Sequence, residues 1–276
     1  WDLYARTLGR LTGGQRERPK REAVAQRVSE AMRGDVARTA LAAHLALLSE
    51  RYLATTAPQR IAAHLRLLDR LAEQGVLATE LFHHPDLGSS ELVVATADVP
   101  GLFSLIAGTL AAQGINILSA QIHTRADGIV IDTFQVNDPF GEAVTEEARW
   151  RRTLEALRRV LRGEVSVEEL LARRRSLHPG GEAAVAGPPK ISLDNQLSDS
   201  STVLEVKCPD RVGLLYVITR TLSAQGLDIR SARIATEIDQ AYDTFYVTDR
   251  QGRRLEDETA MARVRESLED ALLKPL

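Results

Sequence analysis

Two short patterns, far apart in the chain, each combine groups able to hold a small zwitterion. In the first, Asp98, Val99, Pro100, Gly101 and Leu102 open a stretch with helical spacing, and Asn116 and Ile117 follow the glycine that ends it. In the second, Asp210, Arg211, Val212, Gly213 and Leu214 stand in the same order, with Asp228 and Ile229 after the next such glycine. A glycine at the head of a helix lets a ligand approach the backbone. The first amides of a helix have no partner within it, so they can receive a carboxylate or another anion. Asn116 and Asp228 are polar residues at otherwise apolar strand starts, suited to bonding the amino or carboxylate group of an amino acid. A plainer role also fits: Asp98 and Asp210 cap the helices, the glycines serve a tight turn, and Asn116 and Asp228 satisfy local backbone groups. Residue types alone leave both roles open.

Other reactive side chains point to less. His83 and His84 beside Asp86 lack the spacing of a metal site, so no metal is expected. His44 and His64 fall on helical stretches among alanines and leucines, where packed histidines are common. Cys208 precedes Pro209 at a strand end with no base near it in sequence, and reads as a structural thiol. The basic clusters Arg158-Arg159 and Arg173-Arg174-Arg175 have acidic neighbours and read as solvated faces. No phosphate loop, nucleophile elbow or His-Glu-x-x-His pattern occurs, so no catalytic residue is assigned.

The elements that must position the two patterns follow from periodicity. Residues 1 to about 80 read as helices: Leu41, Leu45, Leu48 and Leu53 keep roughly helical spacing, as do Ile61, Leu65, Leu68 and Leu71. Pro58 is placed for a helix start and Gly75 for a stop. Gly13-Gly14 and the charges from Arg16 to Glu22 interrupt the pattern near the beginning. From Glu91 the period changes. The spacing predicts a strand over Leu92 to Ala95, a helix from Leu102 to Gly114, a strand through Ile115, Ile117 and Ile122, a hairpin at Asp127-Gly128 and a strand from Ile129 to Val136. A second amphipathic helix follows over Thr145 to Gly163, with Trp150, Leu154, Leu157 and Leu161 on one side. The Gly, Pro and Ala segment from Leu177 to Pro189 reads as a linker. Ile191 to Leu197 is expected to return as a closing strand of the first unit, before Thr202 to Cys208 opens a second.

A shift of 112 residues superimposes Asp98 on Asp210, Gly101 on Gly213 and Gly114 on Gly226, and 14 of the 27 positions from Asp98 to Thr124 are identical. After a one-residue change, Asp132-Thr133-Phe134 falls on Asp243-Thr244-Phe245. The chain therefore holds two copies of one small unit, each expected to bury one sheet face under two helices. The expected divisions are a helical segment over 1–88, a first unit over 89–199 and a second over 200–276.

Composition sets the limits. A net charge of -3 with 26% charged residues gives no overall positive field for nucleic acid or an anionic membrane, so neither is expected as a partner. One cysteine excludes an intrachain disulfide, and no apolar run approaches the ~20 residues of a bilayer span, which suggests a cytoplasmic protein. The first residue is Trp1, so the chain is expected to be part of a longer polypeptide.

The stretches from Asp98 to Ile117 and from Asp210 to Ile229 resemble ACT domains, regulatory βαββαβ modules that bind small molecules, often amino acids. The resemblance implies an α+β fold of two tandem ferredoxin-like domains behind a helical segment. Leu193-Asp194-Asn195, Val203 to Val206, Ser231 to Thr236 and Phe245 to Asp249, with Arg51-Tyr52-Leu53 and Pro58 to Leu68 upstream, are similar to the C-terminal region of the bifunctional PII uridylyltransferase/uridylyl-removing enzymes. That resemblance implies a glutamine-sensing part of an enzyme controlling nitrogen-status signalling, with PII and the chain's own catalytic domains as partners. It implies Mg2+ for the catalytic domains and no cofactor in this stretch; the Gly-Ser and paired-Asp motifs of the transferase and the His-Asp motif of the hydrolase are absent here. Two departures stand out: Val212 replaces the proline kept at Pro100, and no strand follows the last helix, which calls for a borrowed strand or an open edge. The alternatives are an ACT interaction platform without a ligand and the regulatory end of another amino-acid-controlled enzyme.

Overall fold

A computed structural model describes residues 21–32, 38–177, 188–237 and 239–274. The expectations for residues 1–20 and for most of the Gly, Pro and Ala segment lie outside the described residues. Four helices come first: α1 (Arg21–Ala31), α2 (Arg38–Leu47), α3 (Glu50–Thr55) and α4 (Pro58–Gln74). The leucine spacing from Leu41 to Leu53 spans two of them. Ser49 breaks it, because its side chain accepts from the Tyr52 amide and caps α3. Pro58 starts α4 and Gly75, at φ +84°, ends it, as the sequence predicts.

Helix does not continue to residue 80. Ala78–His84 form strand β1, which a short 3-10 turn at Pro85–Leu87 joins to β2 (Ser89–Ala97) in an antiparallel pair. Then come α5 (Leu102–Ala112), β3 (Asn116–Gln121), β4 (Ile129–Asn137), α6 (Glu147–Leu161) and α7 (Val167–Leu177). The second copy runs β5 (Lys190–Asp194), β6 (Thr202–Pro209), α8 (Leu214–Ala224), β7 (Leu227–Arg233), β8 (Thr236–Glu237), β9 (Gln240–Asp249) and α9 (Glu258–Leu273).

The strand expected to close the first module belongs to the second. Lys190–Asp194 pairs antiparallel with β6, from Lys190 opposite Lys207 to Asp194 opposite Val203. In both modules the fourth strand precedes the βαββα run instead of following it, ahead of positions 89 and 200. The second sheet therefore takes its edge strand from its own chain. Both halves form one sheet, ordered β1-β2-β4-β3-β7-β9-β6-β5, because β3 and β7 pair across the repeat at Ser119 with Arg233, Ala120 with Ala232 and Gln121 with Ser231.

One face of this sheet lies under α5, α6, α8 and α9, around Leu92, Val94, Phe134, Leu204, Val206 and Phe245. The expectation of one buried face per module holds for the second copy, where exposed Glu205 and Lys207 alternate with buried Leu204, Val206 and Cys208. It fails for the first. Val93, Ala95 and Ile131 point to the opposite face and pack with α1 to α4 around Tyr52, Ile61 and Leu67. That explains the unbroken apolar run in β2, since a strand covered on both faces has no polar side to alternate with. Each such Val or Leu contributes about 1.5–3 kcal/mol on full burial.

Helix α7 is absent from the expectations. Its apolar residues Val167, Leu170 and Leu171 pack on α5 with Ala112 and Tyr216. They are too few, among charges, to show a helical stripe.

Candidate functional site

The α5 helix begins at Gly101, whose φ of +75° places it in the left-handed region, and no side chain caps it. Gly213 begins α8 in the same way at φ +83°, also uncapped. The capping role for Asp98 and Asp210 therefore fails. The glycines turn the chain at low steric cost and leave amides of the first helical turn without a side-chain partner.

The β3–β7 junction sets the first of these helix starts against the second module. A cavity of about 310 Å³ opens there. Of the residues anticipated from sequence, Asp98, Val99, Pro100, Gly101 and Leu102 line it from one module, and Asp228 and Ile229 from the other. Helix α8 approaches closely: a side-chain carbon added at Gly101 would lie 3.6 Å from the Ser223 hydroxyl of α8, and 3.3 Å from the Ser104 hydroxyl of α5 itself. The Ser104 hydroxyl donates to the Gly101 carbonyl at 2.7 Å.

The remaining anticipated residues, Asn116, Ile117, Asp210, Arg211, Val212, Gly213 and Leu214, do not line this cavity. Asn116 donates to the Asp138 carbonyl at 3.3 Å, the local role that its sequence left open. Arg211 donates to the Leu272 carbonyl at the end of α9, and Asp210 accepts from the Thr236 hydroxyl at 3.2 Å. His83 is held by the Ser90 hydroxyl at 3.0 Å, and no metal-binding group of three His, Cys, Asp or Glu occurs among the described residues.

Sequence reasoning missed Ser104, Asp132, Thr219, Ser223, Arg230 and Arg250, which also line the cavity. Arg230 was within reach, because side chains two apart on a strand share a face and Asp228 had been singled out. Ser223 and Thr219 reach the site only through the docking of α8 on α5, a contact with no local signal.

Charge is mixed here. Loss of surrounding water and then the Asp228 carboxylate hold the Asp98 carboxyl above the usual carboxylate range, against the pull of the Arg230 guanidinium. Asp132 is fully enclosed, which pushes its pKa up to about 8, with Asp98 adding to the effect. Its carboxyl accepts from the His123 amide. The cavity thus sets carboxyl groups and two arginines around the open amides of a helix start, complementary to a ligand carrying both charges.

The family model described as an ACR9-like, ACT-like domain matches residues 190–276, from β5 to the end of the chain. A bifunctional uridylyltransferase/uridylyl-removing enzyme of Rhodospirillum rubrum is 35% identical over 274 residues, 98% of this chain and 29% of that protein. The enzyme of the same name from Rhodopseudomonas palustris is 35% identical over 96% of this chain and 29% of its own length. One from Gluconobacter oxydans is 39% identical over 70% of this chain and 20% of its own length. The chain thus spans less than a third of these curated relatives. With tandem ACT-like modules in the fold and this identity over nearly its whole length, the chain is similar, from end to end, to the helical and ACT-domain C-terminal part of the bifunctional uridylyltransferase/uridylyl-removing enzymes.

Proposed function

We propose that this chain is a glutamine sensor and that the cavity between Gly101 and Asp228 is where the amino acid binds. The observation that carries the reading is the meeting of an uncapped helix start from one module with Asp228 and Arg230 of the other. The free amides of α5 take the α-carboxylate, and Asp228 and Asp98 face the α-ammonium. In a longer protein like its relatives, occupancy shifts the balance between uridylylating PII and removing UMP, acting in the cytoplasm through catalytic domains that use Mg2+. Two modules joined in one sheet support such regulation, because a ligand at their junction touches both.

Calorimetric titration of the chain with glutamine tests the reading, with glutamate, asparagine and alanine as comparisons. Saturable heat with glutamine, weaker or absent with the others, is the expected result. No heat and no thermal shift at millimolar glutamine would sink it.

A further inference from the structure

Two copies of one module related by a repeat have two junctions of the same kind. The repeat puts the second between the α8 start, at Gly213, and the end of α5, at Gly114, the counterparts of Gly101 and Gly226. We propose that this second junction is permanently closed by α7 and Tyr216, so that the pair holds one ligand and not two. The inference rests on the reading of the cavity given above and adds its stoichiometry.

The repeat makes the comparison residue by residue. Ser104, small and beside the cavity, corresponds to Tyr216, which is 3% exposed. The Tyr216 ring packs with Val165, Val167, Leu170 and Leu171, and its hydroxyl donates to Glu168, which also pairs with Arg220 at 2.8 Å. Further along α7, Arg174 stands against Gly114: a side-chain carbon placed there would lie 2.7 Å from its guanidinium. Arg149 of α6 donates to the Gln113 carbonyl at 3.3 Å and to the Gly114 carbonyl, filling the rest of the approach. Helix α7 therefore runs from Tyr216 to Gly114, over the ground that is open between Ser104 and Gly226 at the first junction.

The ligand-facing groups have gone as well. Thr219 and Ser223 correspond to Ala107 and Ala111, Arg230 to Leu118 and Arg250 to Pro139. At the second junction the counterparts of those two hydroxyls and both arginines are apolar, and the arginines that stand there, Arg149 and Arg174, come from α6 and α7 and lie against Gly114. Room and chemistry are missing together.

Calorimetry on the whole chain with glutamine decides the matter, using the wild type, Asp228→Asn, Ser104→Tyr and Asn116→Ala. One equivalent per chain is expected. Asp228→Asn should weaken binding about tenfold or more, the scale of a lost charge-assisted contact, and Asn116→Ala should leave it within about twofold. Ser104→Tyr should abolish the heat, and an unchanged unfolding temperature in Asp228→Asn guards against simple misfolding. Two equivalents per chain, or equal weakening by Asn116→Ala and Asp228→Asn, would overturn the single-site proposal while leaving the sensor reading intact. Absence of binding to the wild type would remove both.

Discussion

The backbone amide of His123 donates to a carboxyl oxygen of Asp132 at 3.2 Å. Asp132 lines the cavity, and the His123 ring meets Tyr52 of α3 edge-on with centroids 4.9 Å apart. One residue thus separates the cavity from the helical segment on the far face of the sheet.

Asp132 should make stability fall as the pH rises. In the unfolded chain its carboxyl ionises near the ordinary value of 3.8, whereas burial keeps the folded-state proton until about 8. Its contribution is therefore fully present below 3.8 and is lost as the pH climbs to about 8. Asp132→Asn keeps an oxygen for the His123 amide and cannot ionise. Urea unfolding should show the variant gaining on the wild type between about pH 5 and 8, and parallel pH profiles would refute the assignment.

Three buried histidines act in the opposite direction. Burial lowers His44 and His64 to about 4 and His123 to about 3, with neighbouring arginines adding to the effect. The unfolded chain takes up these protons below 6.5, so stability present above that pH is lost as the pH falls towards 4. The Tyr52 hydroxyl meets His64 Nδ1 at 2.6 Å, so near-UV dichroism of the tyrosines should follow the loss. His64→Gln should flatten the profile on the acid side, and an unchanged slope would count against these histidines as its source.

Arg60 of α4 donates to both carboxylate oxygens of Glu91 of β2, and one of them, Oε2, also accepts from Gln135 at 2.8 Å. Glu91 is almost wholly buried, at 6% side-chain exposure, while Arg60 keeps 36%. Arg60→Ala leaves a buried carboxylate without its cation, which costs roughly 3–5 kcal/mol in a fully enclosed pair, and ~2 kcal/mol is expected with one partner partly in water. Chemical denaturation reads the loss directly. Arg60→Ala together with Glu91→Leu should recover much of it; a double variant no better than the single one would show that the pair is not the cause.

Gly108 sits inside α5, where alanine is normally better by ~1 kcal/mol. Here a side-chain carbon would fall 2.2 Å from Val167 and 2.9 Å from the Tyr216 ring. Gly108→Ala should therefore lower the unfolding temperature by displacing α7. Adding Val167→Ala should restore part of the loss. A stabilised Gly108→Ala would mean that α7 is not seated as described.

Much of this architecture is legible where it is local. Helix α4 shows its stripe from Ile61 to Leu71, and the duplicated Gly101 and Gly213 mark the two helix starts. Strand β1 is not legible, because Ala78 to His84 lies at a sheet edge and mixes apolar and polar residues without a clean alternation. The place of β5 depends on a partner chosen by tertiary pairing, which periodicity does not encode. In the site, Gly101 and Asp228 show through the repeat. Ser223, Thr219 and the closing role of Tyr216 depend on how helices dock, so the same helices in a different packing would put them elsewhere.

The pairing of Ala120 with Ala232 has one more consequence. A cleft between two hinged lobes can close by swinging, but these two lobes share a continuous hydrogen-bonded ladder, and swinging would tear it. A change of twist along the sheet keeps that ladder intact and is the response to an occupant that the pairing favours. Such torsion is delivered at once to the far side of β2 and β4, where the first four helices rest, in the manner of a drive shaft rather than a jaw.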